Sequence, residues 1–161
     1  QHGPVHAECR VQASGVYVLE VAARPIGGIC ARSLRFEQPQ GTTRISLEEL
    51  LLRHALGEDV SGWQREAQAS GVMMIPIPRR GVYKGVTGVE TAREVTGIDD
   101  VVITAKVDQL LLPLPEGASY LGFLFAHGES PALVDRALRA AHGRLAFTVV
   151  PQLPVLQSSH G

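Results

Sequence analysis

The sequence predicts an α+β fold in two parts, an antiparallel β-hairpin or sheet with a helix, followed by a small antiparallel sheet domain. Three observations carry that expectation. Residues 5–11 and 16–22 have strand periodicity on either side of Gln12-Ala13-Ser14-Gly15, which reads as a hairpin. The clearest helices open on serine caps, at Ser46 and at Ser130. From residue 82 onward the elements run strand, helix, strand, strand, helix, strand.

The elements follow in order. Val5-His6-Ala7-Glu8-Cys9-Arg10-Val11 alternates with period two, and Val16 to Ala22 is again strand-like. Pro25 and Gly27-Gly28 end the second strand. Ser46-x-x-Glu49 is a capping box that puts Leu47, Leu50, Leu51 and Ala55 on one helical face, with Gly57 as the C-terminal stop. Residues 57–71 are polar and contain the single Trp63, so a domain boundary is expected near residue 70. Val72 to Ile77 carries Pro76, which confines it to a sheet edge or a crossover. The pieces that follow are Val82–Val86, a helix over Val89–Val95, Asp100–Lys106, Tyr120–Ala126, a helix over Pro131–His142, and Arg144–Val150. This βαββαβ order implies a ferredoxin-like antiparallel sheet with helices on one face. The expected domains are thus residues 1–70, 71–150, and a flexible Pro/Ser/Gln-rich tail over 151–161.

Composition narrows the function. The chain has 161 residues, 45% apolar and 19% charged, with a net charge of −1. Its cations are thirteen Arg and two Lys, which form no broad basic face, so neither nucleic acid nor an acidic membrane surface is an expected partner. No apolar run approaches the ~18–20 residues that cross a bilayer. Cys9 and Cys30 form no C-x-x-C pair and read as buried small apolar residues, which fits a reducing, cytoplasmic setting. The start, Gln1-His2-Gly3-Pro4, fits neither a signal peptide nor an initiation, so an upstream part is expected.

The hairpin holds the chemistry. A three-residue loop, Ala13–Gly15, with Gln12 opposite Val16, makes Glu8 face Glu20, His6 face Ala22 and Arg10 face Val18. Two carboxylates directly opposite, with Cβ atoms about 5 Å apart, repel unless a positive charge lies between them. A divalent cation supplies one, and hard oxygen ligands select Mg²⁺ or Mn²⁺, with substrate phosphates filling the remaining positions. Arg24, four residues after Glu20, adds a fixed cation suited to a phosphoryl or carboxylate oxygen. The same pattern also fits a solvated sheet face on which Arg10 pairs Glu8 or Glu20, and a one-residue slip would part the carboxylates.

His6-Ala7-Glu8-Cys9-Arg10-Val11, then Glu20-Val21-Ala22-Ala23-Arg24-Pro25 and Gly27-Gly28, resembles the end of an ATP-grasp domain. In that superfamily two glutamates on adjacent antiparallel strands hold Mg²⁺ ions that bridge the phosphates of ATP. The resemblance implies that Glu8 and Glu20 are the metal ligands and that Arg24 is the catalytic arginine, contacting the acyl-phosphate or the carboxylate substrate. The family's second glutamate commonly opens E-x-N-x-R; the Asn position is Ala22 here, which removes an amide from the second ion's surroundings. Glu20-x-Ala-Ala-Arg24 with the Ser-Leu-Glu-Glu-Leu-Leu helix is similar to the L-amino-acid ligase branch. Leu114 to Ala126 looks like part of the small C-terminal domain that follows ATP-grasp there.

The resemblance implies a two-step ligation of a carboxylate to an amine through an acyl-phosphate, with ATP and small carboxylate and amine substrates as partners. His6 lies on the carboxylate face and is a candidate substrate ligand or a structural histidine. Gly27 and Gly28 are candidates for close backbone contact with substrate or for a plain turn. No G-x-x-x-x-G-K-[ST] occurs, and Lys84 and Lys106 both fall in the second part, so the chain alone is expected to be inactive. The Leu110–Pro115 run reads as an exposed docking segment, and self-association through exposed apolar surface stays open. The alternative reading is a non-catalytic ferredoxin-like binding or oligomerisation module.

Overall fold

In the computed structural model, residues 3–152 are described, and they fall into two compact units, Gln1–Ala67 and Gln68–Gly161. Gln1 and His2, and the predicted tail beyond Gln152, lie outside the described residues.

The first unit begins with the antiparallel hairpin β1 (His6–Gln12) and β2 (Gly15–Ala22), which among the described residues pair only with each other. A short 3₁₀ turn, Cys30–Ser33, leads to β3 (Arg35–Glu37) and β4 (Arg44–Ser46). Helix α1 (Leu47–Ala55) starts where the sequence places it, because Ser46 Oγ accepts from the Glu49 amide at 3.1 Å. Gly57, at φ +83°, ends it. Arg53 on α1 is bonded to Glu49 (2.7 Å) and Glu58 (3.0 Å), and its guanidinium lies 5.8 Å from the Trp63 ring centre. Strand β5 (Gln64–Arg65) completes a three-stranded sheet in the order β4-β3-β5, and Ile45 and Ala31 are the buried apolar residues of this unit.

The second unit is built on β6 (Ala69–Ile75), β7 (Gly81–Thr87), α2 (Val89–Arg93), β8 (Ile98–Ile103), β9 (Leu110–Leu111), β10 (Gly122–Gly128), α3 (Pro131–His142) and β11 (Ala146–Val150). The α+β class is as predicted, and the βαββαβ order is present with β9 inserted. The pairing gives two three-stranded sheets, β6-β10-β8 and β11-β7-β9, where one ferredoxin-like sheet was expected. Strand β6 lies at a sheet edge beside β10 and stops before Pro76, whose missing N–H cannot serve a ladder.

Helix α3 packs its Val134, Leu138 and Ala141 stripe onto β6 and β10. Gly71 on β6 makes the approach close, since a Cβ there would lie 2.7 Å from Val134 Cγ1. Around this contact Ile75, Val101, Leu111, Leu121 and Leu124 are fully buried. Leu111 corrects the docking-segment expectation: β9 pairs with β7, and the leucine fills the core. The strand expected to end at Ala126 runs on through His127 and Gly128 as β10, and His127 Nδ1 bonds the carboxylate of Asp99, the extra residue at a bulge in β8. The cysteines depart from expectation too: Cys9 is exposed and Cys30 half-buried, both free, because Cys9 lies in a hairpin whose strands are exposed along nearly their whole length.

Leu124→Ala leaves a cavity under α3 and is expected to destabilise the second unit by about 2–5 kcal/mol, read as a fall in the urea midpoint at unchanged m. A loss under about 1 kcal/mol would contradict the described core.

Candidate functional site

The hairpin register puts His6 opposite Ala22, Ala7 opposite Val21 and Glu8 opposite Glu20. Nearer the turn the register differs from the one read in the sequence. The loop has two residues, Ala13 and Ser14, with Gln12 opposite Gly15, and Arg10 therefore faces Tyr17, not Val18. A bulge at Leu19 takes up the remaining residue, so the two differences cancel before the carboxylates are reached. Gly15, at φ +143°, adopts a backbone that a side chain would resist, which favours the tighter loop. Ser14 Oγ and Tyr17 Oη lie 3.1 Å apart across it.

One face of the hairpin carries His6, Glu8, Arg10, Tyr17 and Glu20, and the other carries Ala7, Cys9, Val11, Val16, Val18 and Val21. Both glutamates are exposed. Among the described residues, no ion pair or hydrogen bond joins Arg10 to either of them, so the like charges stand opposite one another without an internal counterion. Tyr17 is the residue on this face that sequence reasoning missed; only the turn length could have placed it there.

Arg24 follows the end of β2, and its backbone N–H donates to the Ala22 carbonyl at 2.9 Å. Its guanidinium donates to the Pro25 carbonyl at 3.2 Å and lies beside Gly27, where a Cβ would come within 3.9 Å of Nη1. Gly28 is left-handed, at φ +64°, as a turn requires. Arg24, Gly27 and Gly28 thus share one turn at the open end of the hairpin, the end at which His6 sits opposite Ala22.

Among the described residues, no group of three or more His, Cys, Asp or Glu side chains is placed to hold a metal ion. Two opposed carboxylates fit a hard cation that takes its other ligands from phosphates and water, as Mg²⁺ does. Also among the described residues, no helix is long and apolar enough to cross a membrane.

Residues 73–150 match the family described as L-amino acid ligase C-terminal domain 2. Among solved structures, the L-amino acid ligase from Bacillus licheniformis is similar, at 25% identity and a TM-score of 0.71, over 94% of this chain and 36% of that one. The phosphoribosylglycinamide synthetase from Anaerococcus prevotii shares the fold at 12% identity and a TM-score of 0.66, over 91% of this chain and 37% of that one. No curated protein sequence matches. The chain spans little more than a third of the length of these structures. Fold and matches together show a likeness: the chain shares its fold with part of each of these two structures. Residues 73–150 resemble the C-terminal domain 2 of L-amino acid ligases, and the whole chain is similar to part of one such ligase.

In buffer free of divalent ions, Glu20→Gln removes one of two opposed charges and is expected to stabilise the hairpin by about 0.2–1 kcal/mol. Amide hydrogen exchange of residues 6–22 at low salt checks this; unchanged or weaker protection would mean that the carboxylates do not repel.

Proposed function

We propose that the chain is the C-terminal portion of an ATP-dependent, Mg²⁺-requiring ligase that joins a carboxylate to an amine, both from amino acids, in the cytoplasm. Residues 1–70 are the end of its ATP-grasp domain and 71–150 its small C-terminal domain. The observation that carries the reading is the Glu8–Glu20 pair, directly opposed and exposed on one hairpin face. The match of residues 73–150 supports it.

Glu8 and Glu20 would hold Mg²⁺, which when bound would supply charge neutralisation for the phosphates. The substrate carboxylate oxygen attacks the γ-phosphorus of ATP and ADP leaves. The amine then attacks the acyl carbon, phosphate leaves, and the amine gives up its proton as the amide forms. Arg24 meets the negative charge that gathers on the acyl-phosphate, and its turn with Gly27 and Gly28 offers backbone donors to the same oxygens. His6 orients the substrate carboxylate. No protein nucleophile is needed, because positioning and charge neutralisation lower the barrier. The 161 residues alone hold no phosphate loop and have no turnover.

The test is ADP release by the full-length protein that carries these residues, with ATP and Mg²⁺, across a matrix of paired amino acids. Release that needs two particular amino acids, and that Glu20→Gln lowers about 10²-fold or more, is the expected result. Undiminished release from Glu20→Gln would remove the glutamate from the site. Absence of both release and ATP binding would favour a non-catalytic module.

A further inference from the structure

Leu19 has no partner on β1. From the turn to Cys9 and Val18 the ladder is regular, it resumes at Glu8 and Glu20, and Leu19 is the residue between. Leu19 is 60% exposed, so no packing within these 161 residues calls for the insertion. The placement of the extra residue is informative, because a three-residue turn would bring Glu8 opposite Glu20 equally well and leave the strand unbroken. Here the additional backbone unit sits directly beside the carboxylates.

A bulge bends its strand, raises the local twist and re-aims the neighbouring side chain. Opposed side chains in a regular ladder stand side by side, with Cβ atoms about 5 Å apart. Two oxygens bound at about 2.1 Å on adjacent corners of an octahedral ion are about 3 Å apart, so the carboxylate heads must converge. We infer that Leu19 is a positioning residue, whose backbone insertion turns the Glu20 carboxylate toward that of Glu8 so that both reach one divalent cation. This rests on the reading of the two glutamates as ion ligands.

Backbone amide NMR of the full-length protein that carries these residues, titrated with Mn²⁺ in the presence of a non-hydrolysable ATP analogue, reads the site without turnover. In the native sequence, paramagnetic broadening centres on Glu8 and Glu20, and Glu20→Gln removes it. Deletion of Leu19 leaves Cys9 opposite Val18 and Glu8 opposite Glu20 in an unbroken ladder. It is expected to raise the Mn²⁺ concentration for half-maximal broadening about tenfold or more. Leu19→Ala keeps the insertion and stays within about twofold of the native response. Should the deletion also lose the Glu8–Glu20 cross-strand contact, a length-neutral variant, with Leu19 deleted and Gly inserted between Ala13 and Ser14, carries the same comparison. A native response from the ladder-restored variant overturns the inference, as does a Leu19→Ala response as weak as the deletion's. No broadening at Glu8 and Glu20 in the native sequence overturns the ion-ligand reading and the inference with it.

Discussion

Two like charges held opposite each other are the constraint on which the first unit turns. The ladder brings Glu8 and Glu20 together, and Arg10, the nearest cation on β1, pairs with neither. A solvated charged face would interleave signs so that neighbours cancel, as Arg53 on α1 does with Glu49 one turn before it and Glu58 just beyond the helix. The hairpin instead leaves two hard oxygen donors facing the same side with no internal cation between them. On the proposed reading, a divalent ion and its phosphates relieve that repulsion. Arg24 and the glycine turn stand at the end of the same hairpin, where on that reading a carboxylate substrate would meet the phosphate.

The second unit answers to a different demand. Its stability comes from one apolar core, in which α3 lies close against β6 across Gly71 and Leu111 closes the floor from β9. Pro76 and Pro78 separate β6 from β7 in sequence, and the two strands enter different sheets. Local capping and nonlocal packing agree here. Ser130 and Pro131 start α3 at the place where its apolar stripe meets the sheet.

The parts of this structure that were legible in the sequence are those with a local cause. Helices α1 and α3 carry their own serine caps, and the hairpin carries its alternation. Strands β3, β4, β5 and β9 have only two or three residues each, too few for a period to show. Which strands pair is set by packing between distant segments, so the division into two sheets was not legible. In the hairpin the expected loop was one residue too long and the bulge was unforeseen, so Arg10 was misplaced although Glu8 and Glu20 were matched. Cys9 looked like a core residue by type, but nearly all of the hairpin around it is exposed.

The central claim, that Glu8 and Glu20 together hold a divalent cation on the phosphates of ATP, is tested most directly by a crystal structure. The sample is the full-length protein with Mg²⁺ and a non-hydrolysable ATP analogue. The account predicts an ion bound at about 2.0–2.1 Å by a carboxylate oxygen of each glutamate and by phosphate oxygens. An ion on the phosphates with either glutamate outside its coordination shell would contradict it.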